Sequence, residues 1–197
     1  MGRFFVLKGL PATGKSTLGD ALGRALQGQC AVLSKDDARD FMVGYDARVR
    51  DACVCAARLA SAAQHDAEAN ALCYDIVLHI AEKQLKYGLD VVFDSPLGRV
   101  GLMERCVQIA DRLAGSGVRL VLVDCQLEDQ EWLLRLRKRA MLCPQDHRMN
   151  DPEQIRNYYL SSQFEIPSHL ATIRCDMTRP PHVLAAQILS SEHCKTP

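Results

Sequence analysis

The sequence predicts an α/β fold: a parallel β-sheet covered on both faces by helices. Three observations carry this expectation. Short apolar runs such as Phe4-Phe5-Val6-Leu7 and Val91-Val92-Phe93 alternate with longer stretches of helical periodicity, as when strands buried on both faces are joined by crossover helices. A glycine-bearing segment, Gly9 to Lys15, separates the first apolar run from the first helical one. The 197 residues are enough for one core without disulfides or metal, and no repeat, low-complexity stretch or linker divides them, so a single domain over 1–197 is expected.

The first strand is expected at 4–7. A helix follows, with Leu18, Ala21, Leu22, Ala25 and Leu26 at spacings of three and four, closed by Gly28. Ala31-Val32-Leu33 reads as a second buried strand ending at Ser34-Lys35-Asp36-Asp37. From 46 to 86 the chain is rich in alanine and lacks both Pro and Gly, which predicts one bent helix or two consecutive ones. The third strand is Asp90-Val91-Val92-Phe93-Asp94, and a helix is expected near 99–114. Gly115-Ser116-Gly117 turns into a fourth strand at 118–124, followed by an arginine-rich helix at 128–141. Asp151-Pro152-Glu153 offers an N-cap with proline at the first helical position, opening a helix to about 162. A fifth strand at 171–175 and a helix at 180–190 complete the pattern.

Acidic and basic residues balance at 24 each, so there is no global electrostatic footprint for nucleic acid or an anionic membrane. The nine cysteines show no repeating spacing, and Cys30 and Cys125 lie beside apolar runs, as small buried hydrophobes of a reducing compartment do. Cys53-Val54-Cys55 is the one close pair. Its candidate co-ligands His65, Cys73 and His147 are scattered, unlike the paired ligands of a structural zinc site. The chain opens without a leader pattern, and its apolar runs fall far below the roughly 20 residues that span a bilayer, so a cytoplasmic protein is expected.

Gly9-Leu10-Pro11-Ala12-Thr13-Gly14-Lys15-Ser16 satisfies G-x-x-x-x-G-K-[ST] between an apolar strand and an amphipathic helix. The glycines let the backbone wrap phosphate oxygens with inward amides, and the helix adds the positive end of its dipole. Lys15 is expected on the β- and γ-phosphates and the Ser16 hydroxyl on Mg2+. Guanine readers need Asn-Lys-x-Asp late in the chain. The sole echo, Ser34-Lys35-Asp36-Asp37, lacks the Asn and comes too early, which together with the family resemblance given below makes ATP the expected nucleotide.

Asp36, at the carboxyl end of the second strand, is expected to face the ligand crevice and to take the proton of a substrate hydroxyl. Asp37 is expected to cap the following helix, and Arg39 to clamp an anionic substrate group or simply to be a solvated charge. Asp94 and Asp124 each end an apolar strand as a Walker B carboxylate does. Asp94 is preferred because Ser95-Pro96-Leu97 breaks the chain there, with Asp124 kept as the alternative. Arg135 and Arg139 share a helix face and are expected to close over the phosphates, while 143–150, with Pro144, His147 and Arg148, reads as a lid.

Together these residues resemble the zeta-toxin and polynucleotide-kinase-like P-loop kinases, small kinases with an AAA domain, and most nearly their uncharacterised plant and bacterial members. Gly9–Thr17 matches the phosphate loop, which assigns Gly9, Pro11, Ala12, Thr13, Gly14, Lys15, Ser16 and Thr17 to the nucleotide. Lys35-Asp36-Asp37-Ala38-Arg39 is similar to the Asp-Asp-x-Arg substrate segment, and Arg135–Arg139 to the Arg-x-x-x-Arg lid. The stretch closing on Phe164-Glu165-Ile166-Pro167 resembles the helix after the lid, and Asp94-Ser95-Pro96-Leu97 with Arg99 resembles those uncharacterised members.

The resemblance implies a three-layer P-loop NTPase fold with sheet order 2-3-1-4-5 and a helical lid at about 135–150. It also implies Asp36 as base, Arg39 as substrate contact, Asp94 beside the phosphate loop, and Arg135 and Arg139 on phosphate. Asp94-Ser95-Pro96 stands where the nucleic-acid kinases of this group have Asp-Thr-Asn, which argues against a nucleic-acid partner. The expected function is ATP- and Mg-dependent transfer of the γ-phosphoryl to a small-molecule hydroxyl. The alternatives are a polynucleotide 5′-hydroxyl kinase and a regulatory ATPase whose only acceptor is water.

Overall fold

The computed structural model describes residues 2–40, 58–98, 100–142, 150–160, 166 and 170–194, without the side chains of 58–67, 100 and 160. Several expectations lie outside these residues: the Cys53–Cys55 pair, the His65 side chain, Arg99, and the lid segment 143–149 with Pro144, His147 and Arg148. The Glu165 and Pro167 positions after the lid lie outside them too.

The chain runs β1 (Arg3–Lys8), α1 (Lys15–Ala25), β2 (Cys30–Ser34), a helical stretch α2 at 35–40, α3 (Arg58–Lys86), β3 (Asp90–Asp94), α4 (Val100–Arg112), β4 (Arg119–Gln126), α5 (Asp129–Leu142), α6 (Pro152–Leu160), β5 (Ala171–Asp176) and α7 (Pro181–Ser190). All strand pairs are parallel, in the order β2-β3-β1-β4-β5. This is the P-loop NTPase order expected from the resemblance.

Alternating side chains divide the core between the sheet's two faces. Phe5, Leu7, Val92, Val121 and Val123 pack with Leu18 and Leu22 of α1 and Leu184 and Ile188 of α7. Phe4, Val6, Val91, Phe93 and Leu122 pack on the other face with Val77, Ala81 and Leu85 of α3 and Met103, Cys106 and Ile109 of α4. Phe4 to Leu7 are wholly buried, as expected for a central strand with helices on both sides.

Two local expectations are corrected. Residues 31–33 were expected to be buried, but β2 is an edge strand whose residues are all half-buried. The helix after it begins at Lys35, so Asp37 lies inside the helix. The cap is Ser34, whose hydroxyl accepts the Asp36 amide at 3.1 Å. At α6 the expected cap is present, with Asp151 Oδ1 accepting the Gln154 amide at 2.7 Å.

Among the described cysteines, all but Cys30 behave as buried hydrophobes, and Cys30, on the edge strand β2, is half-buried rather than buried as expected. Cys73, Cys106, Cys125, Cys175 and Cys194 are buried. Burial pushes the Cys106 and Cys125 thiols up to about 12. Among the described residues, no helix is long and apolar enough to cross a membrane.

Candidate active site

β1 delivers the chain to Gly9, where any Cβ would lie 2.6 Å from the Cys125 carbonyl oxygen of β4. Glycine is therefore required for the loop to leave the sheet at this point. Gly14 caps α1 at φ 100°, in the left-handed region, so that the first amides of α1 open onto the loop. Ala12 also lies in that region, at φ 66°, which costs an L-residue about 1 kcal/mol and must be offset by its surroundings.

Those surroundings come from α5. The Trp132 indole N–H donates to the Pro11 carbonyl at 2.8 Å, and Arg135 Nη1 donates to the Thr13 carbonyl at 3.2 Å. Trp132, Leu136 and Ile155 form a small third core against Leu10 and Ala12.

Lys15 is only 6% exposed. Its ammonium donates to the Leu10 carbonyl at 2.8 Å, a carbonyl that also accepts the Thr13 hydroxyl at 2.9 Å. Burial lowers the Lys15 pKa from the ordinary lysine value, with the nearby Asp94 carboxylate acting in the opposite direction.

The loop borders a cavity of about 580 Å3 that brings most of the expected residues together. Pro11, Ala12, Gly14, Lys15, Ser16 and Thr17 line it from the loop and α1, and Asp36 and Arg39 from α2. Asp94 lines it from the end of β3, and Arg135 and Arg139 from α5. Gly9 and Thr13 stand behind this surface. Thr13 is 2% exposed and turned onto Leu10.

Asp36 receives the Lys35 ammonium at 2.7 Å, and Arg39 is buried. Arg139 donates to Asn150 at 3.0 Å, tying α5 to the chain two residues before α6, while Arg135 also holds Glu131 at 2.7 Å. Asp94 and Asp124 separate here. Asp94 is buried on the cavity wall, whereas Asp124 is not part of that wall and pairs with Lys8 at 3.4 Å and Gln126 at 3.0 Å.

The cavity also has walls that reading the sequence did not supply. Asn70, Ala71 and Tyr74 enter from α3, and Tyr158 and Tyr159 from α6. The four-residue spacing of Asn70 and Tyr74 puts both on one helix face, which was the available signal. No pattern marks Tyr158 and Tyr159, or Trp132, as facing a loop more than a hundred residues away in sequence.

Among the described residues, the lining carries five cationic side chains (Lys15, Lys35, Arg39, Arg135 and Arg139) against two carboxylates, Asp36 and Asp94. A chain of zero net charge thus concentrates positive potential where a polyphosphate would lie. The glycine-restricted loop, the buried ammonium and the helix start fit a nucleotide triphosphate. Ser16 and Asp94, hard oxygen donors on the same wall, fit Mg2+ shared with phosphate oxygens and water. No cluster of three His, Cys, Asp or Glu that could hold a metal alone occurs among the described residues.

Solved structures share this architecture. A kinase candidate from Chloroflexus aurantiacus superposes with a TM-score of 0.67 at 19% identity, over 95% of this chain and 93% of that one. A sugar kinase from Janibacter sp. gives 0.61 at 12% identity, covering 96% and 94% of the two chains. The APS kinase CysC of Mycobacterium tuberculosis, in complex with AMPPNP and APS, gives 0.57 at 18% identity, covering 95% of each. At such identities the likeness is one of fold. No curated protein matches the chain. The family model described as an AAA domain matches residues 4–160, most of the chain, and the protein belongs to that family.

Proposed function

We propose that the protein is an ATP- and Mg-dependent kinase that moves the γ-phosphoryl of ATP to a hydroxyl of a small molecule. The observation that carries this reading is the single cavity joining the phosphate loop to Asp36, Asp94, Arg135 and Arg139. On this reading residues 1–197 work as one kinase domain, with a lid at about 135–150. On the same reading it is kin to the zeta-toxin and polynucleotide-kinase-like enzymes, and it acts in the cytoplasm.

The loop amides and the start of α1 bind the polyphosphate. Lys15 exchanges its bond to the Leu10 carbonyl for the β- and γ-phosphate oxygens, whose negative charge opposes the lowering of its pKa by burial. Arg135 and Arg139 neutralise charge on the transferring group. Mg2+, held by Ser16 and Asp94, would supply further neutralisation of the phosphate oxygens.

Asp36 accepts the acceptor's hydroxyl proton as its oxygen bonds the γ-phosphorus and the bond to the β–γ bridging oxygen breaks, releasing ADP. Arg39 and the walls from α3 and α6 hold the acceptor, whose position beside Asp36 keeps attacking and leaving oxygens in line.

A small acceptor is favoured over a polynucleotide or water. The solved structures with this fold include a sugar kinase, an APS kinase and a gluconokinase. An ATP-consumption screen against sugars, nucleosides, antibiotics and 5′-hydroxyl oligonucleotides tests the proposal. One class of small hydroxyl compound should stimulate ADP formation and emerge phosphorylated. Stimulation by oligonucleotides alone, or turnover with water only, would replace this reading with one of its two rivals.

A further inference from the structure

Two carbonyls of the phosphate loop are gripped from one helix. Trp132 and Arg135, three apart on α5, donate to Pro11 and Thr13, on either side of the left-handed Ala12. Each peptide in the described chain is trans. In a planar trans peptide the C=O and the following N–H point in opposite directions. Holding the Pro11 carbonyl therefore turns the Ala12 amide away from the indole, and holding the Thr13 carbonyl does the same for the Gly14 amide. These are the amides a phosphate nest needs.

The indole is itself fixed. It is 1% exposed, packs with Leu136 and Ile155, and carries the Arg156 guanidinium 5.3 Å from its ring centroid. Arg156 in turn pairs with Asp129 at 3.0 Å, in the same turn of α5. The loop conformation and the helix bearing Arg135 and Arg139 are thus joined through the Trp132 indole N–H as well as through Arg135 itself.

We propose that Trp132 is a positioning residue for the nucleotide: its indole N–H sets the Ala12 amide toward phosphate and couples occupancy of the loop to the arginine helix. The inference rests on the nucleotide half of the function proposed above and needs no knowledge of the acceptor.

Trp132 is the only tryptophan in the chain, so replacing all tryptophan with benzothienylalanine changes this site alone, keeping the ring's shape while sulfur takes the place of the N–H. MgATP and MgADP affinities would be measured by calorimetry for this chain, for the Trp132→Phe variant and for the wild type. The thermal midpoint of each nucleotide-free protein and the intrinsic fluorescence of the wild type would be recorded alongside.

The expected result is an affinity at least about tenfold weaker for the chain lacking only the N–H. Its midpoint should stay closer to wild type than that of Trp132→Phe, which also loses packing. Wild-type fluorescence should change saturably with MgATP. Wild-type affinity in the benzothienylalanine chain, or unchanged fluorescence at calorimetrically saturating MgATP, overturns this inference alone. No heat of binding to the wild type overturns it together with the nucleotide assignment.

Discussion

Asp94 stands opposite Leu7 in the β1–β3 ladder, and Asp124 stands opposite Lys8, one residue further on, in the β1–β4 ladder. Neighbouring residues of a strand face opposite sides of the sheet. Leu7 lies on the α1 side, where the phosphate loop folds back, and Asp94 shares that side. Asp124 points with Lys8 to the other side and pairs with it. Asp94→Asn is therefore expected to lower kcat by about 100-fold or more and to raise the Mg2+ concentration needed for half-maximal rate. Asp124→Asn should leave both within about threefold. Magnesium titrations of initial rate distinguish the two.

The cradle itself can be tested without any acceptor. Gly9→Ala puts a methyl group 2.6 Å from the Cys125 carbonyl oxygen, a backbone atom that cannot swing aside. The loop must shift, and MgATP affinity should fall at least about tenfold. Equilibrium binding of MgATP checks this, with circular dichroism reporting whether the fold persists.

Lys15 is expected to cost stability when nucleotide is absent. Its folded pKa lies below the ordinary lysine value of 10.5 because it is buried, so the unfolded chain holds its proton more tightly. The penalty is fully present below the folded pKa and is relieved as pH rises from there toward 10.5. Lys15→Met should stabilise the empty protein by about 1 kcal/mol while greatly weakening MgATP binding. Denaturant unfolding at several pH values should show the gain shrinking as the pH approaches the lysine range.

At the opposite end of the sheet, Asp90 accepts the Arg3 amide at 2.7 Å and its guanidinium Nε at 3.1 Å. The carboxylate is 8% exposed, and the Arg3 guanidinium also lies over the Phe5 ring. Asp90→Ala removes the carboxylate from this part-buried network and should destabilise the fold by about 2 kcal/mol without changing MgATP affinity. Chemical denaturation and calorimetry on the same preparation test both halves.

How much of this was legible in the sequence depended on the range of the interaction. Gly9 to Ser16 declared itself because a phosphate loop is local: its glycines, lysine and hydroxyl are adjacent. Strand identities followed from apolar runs, but 31–33 gave no sign that β2 lies at an edge, since an apolar triplet looks the same in an edge or a central strand. Choosing Asp37 as cap failed because the helix start is set by where the β2 ladder stops, at Ser34 opposite Asp94. Trp132, Tyr158 and Tyr159 were illegible as site residues because no local pattern marks them, and only tertiary packing brings them to Pro11 and the cavity.

The most direct test of the central claim compares Asp36→Asn with the wild type, using whichever acceptor the consumption screen identifies. Asparagine keeps the shape and removes the base. The expected result is a fall in kcat of about 100-fold to 10,000-fold with MgATP affinity essentially unchanged. Full phosphoryl transfer by Asp36→Asn would contradict it.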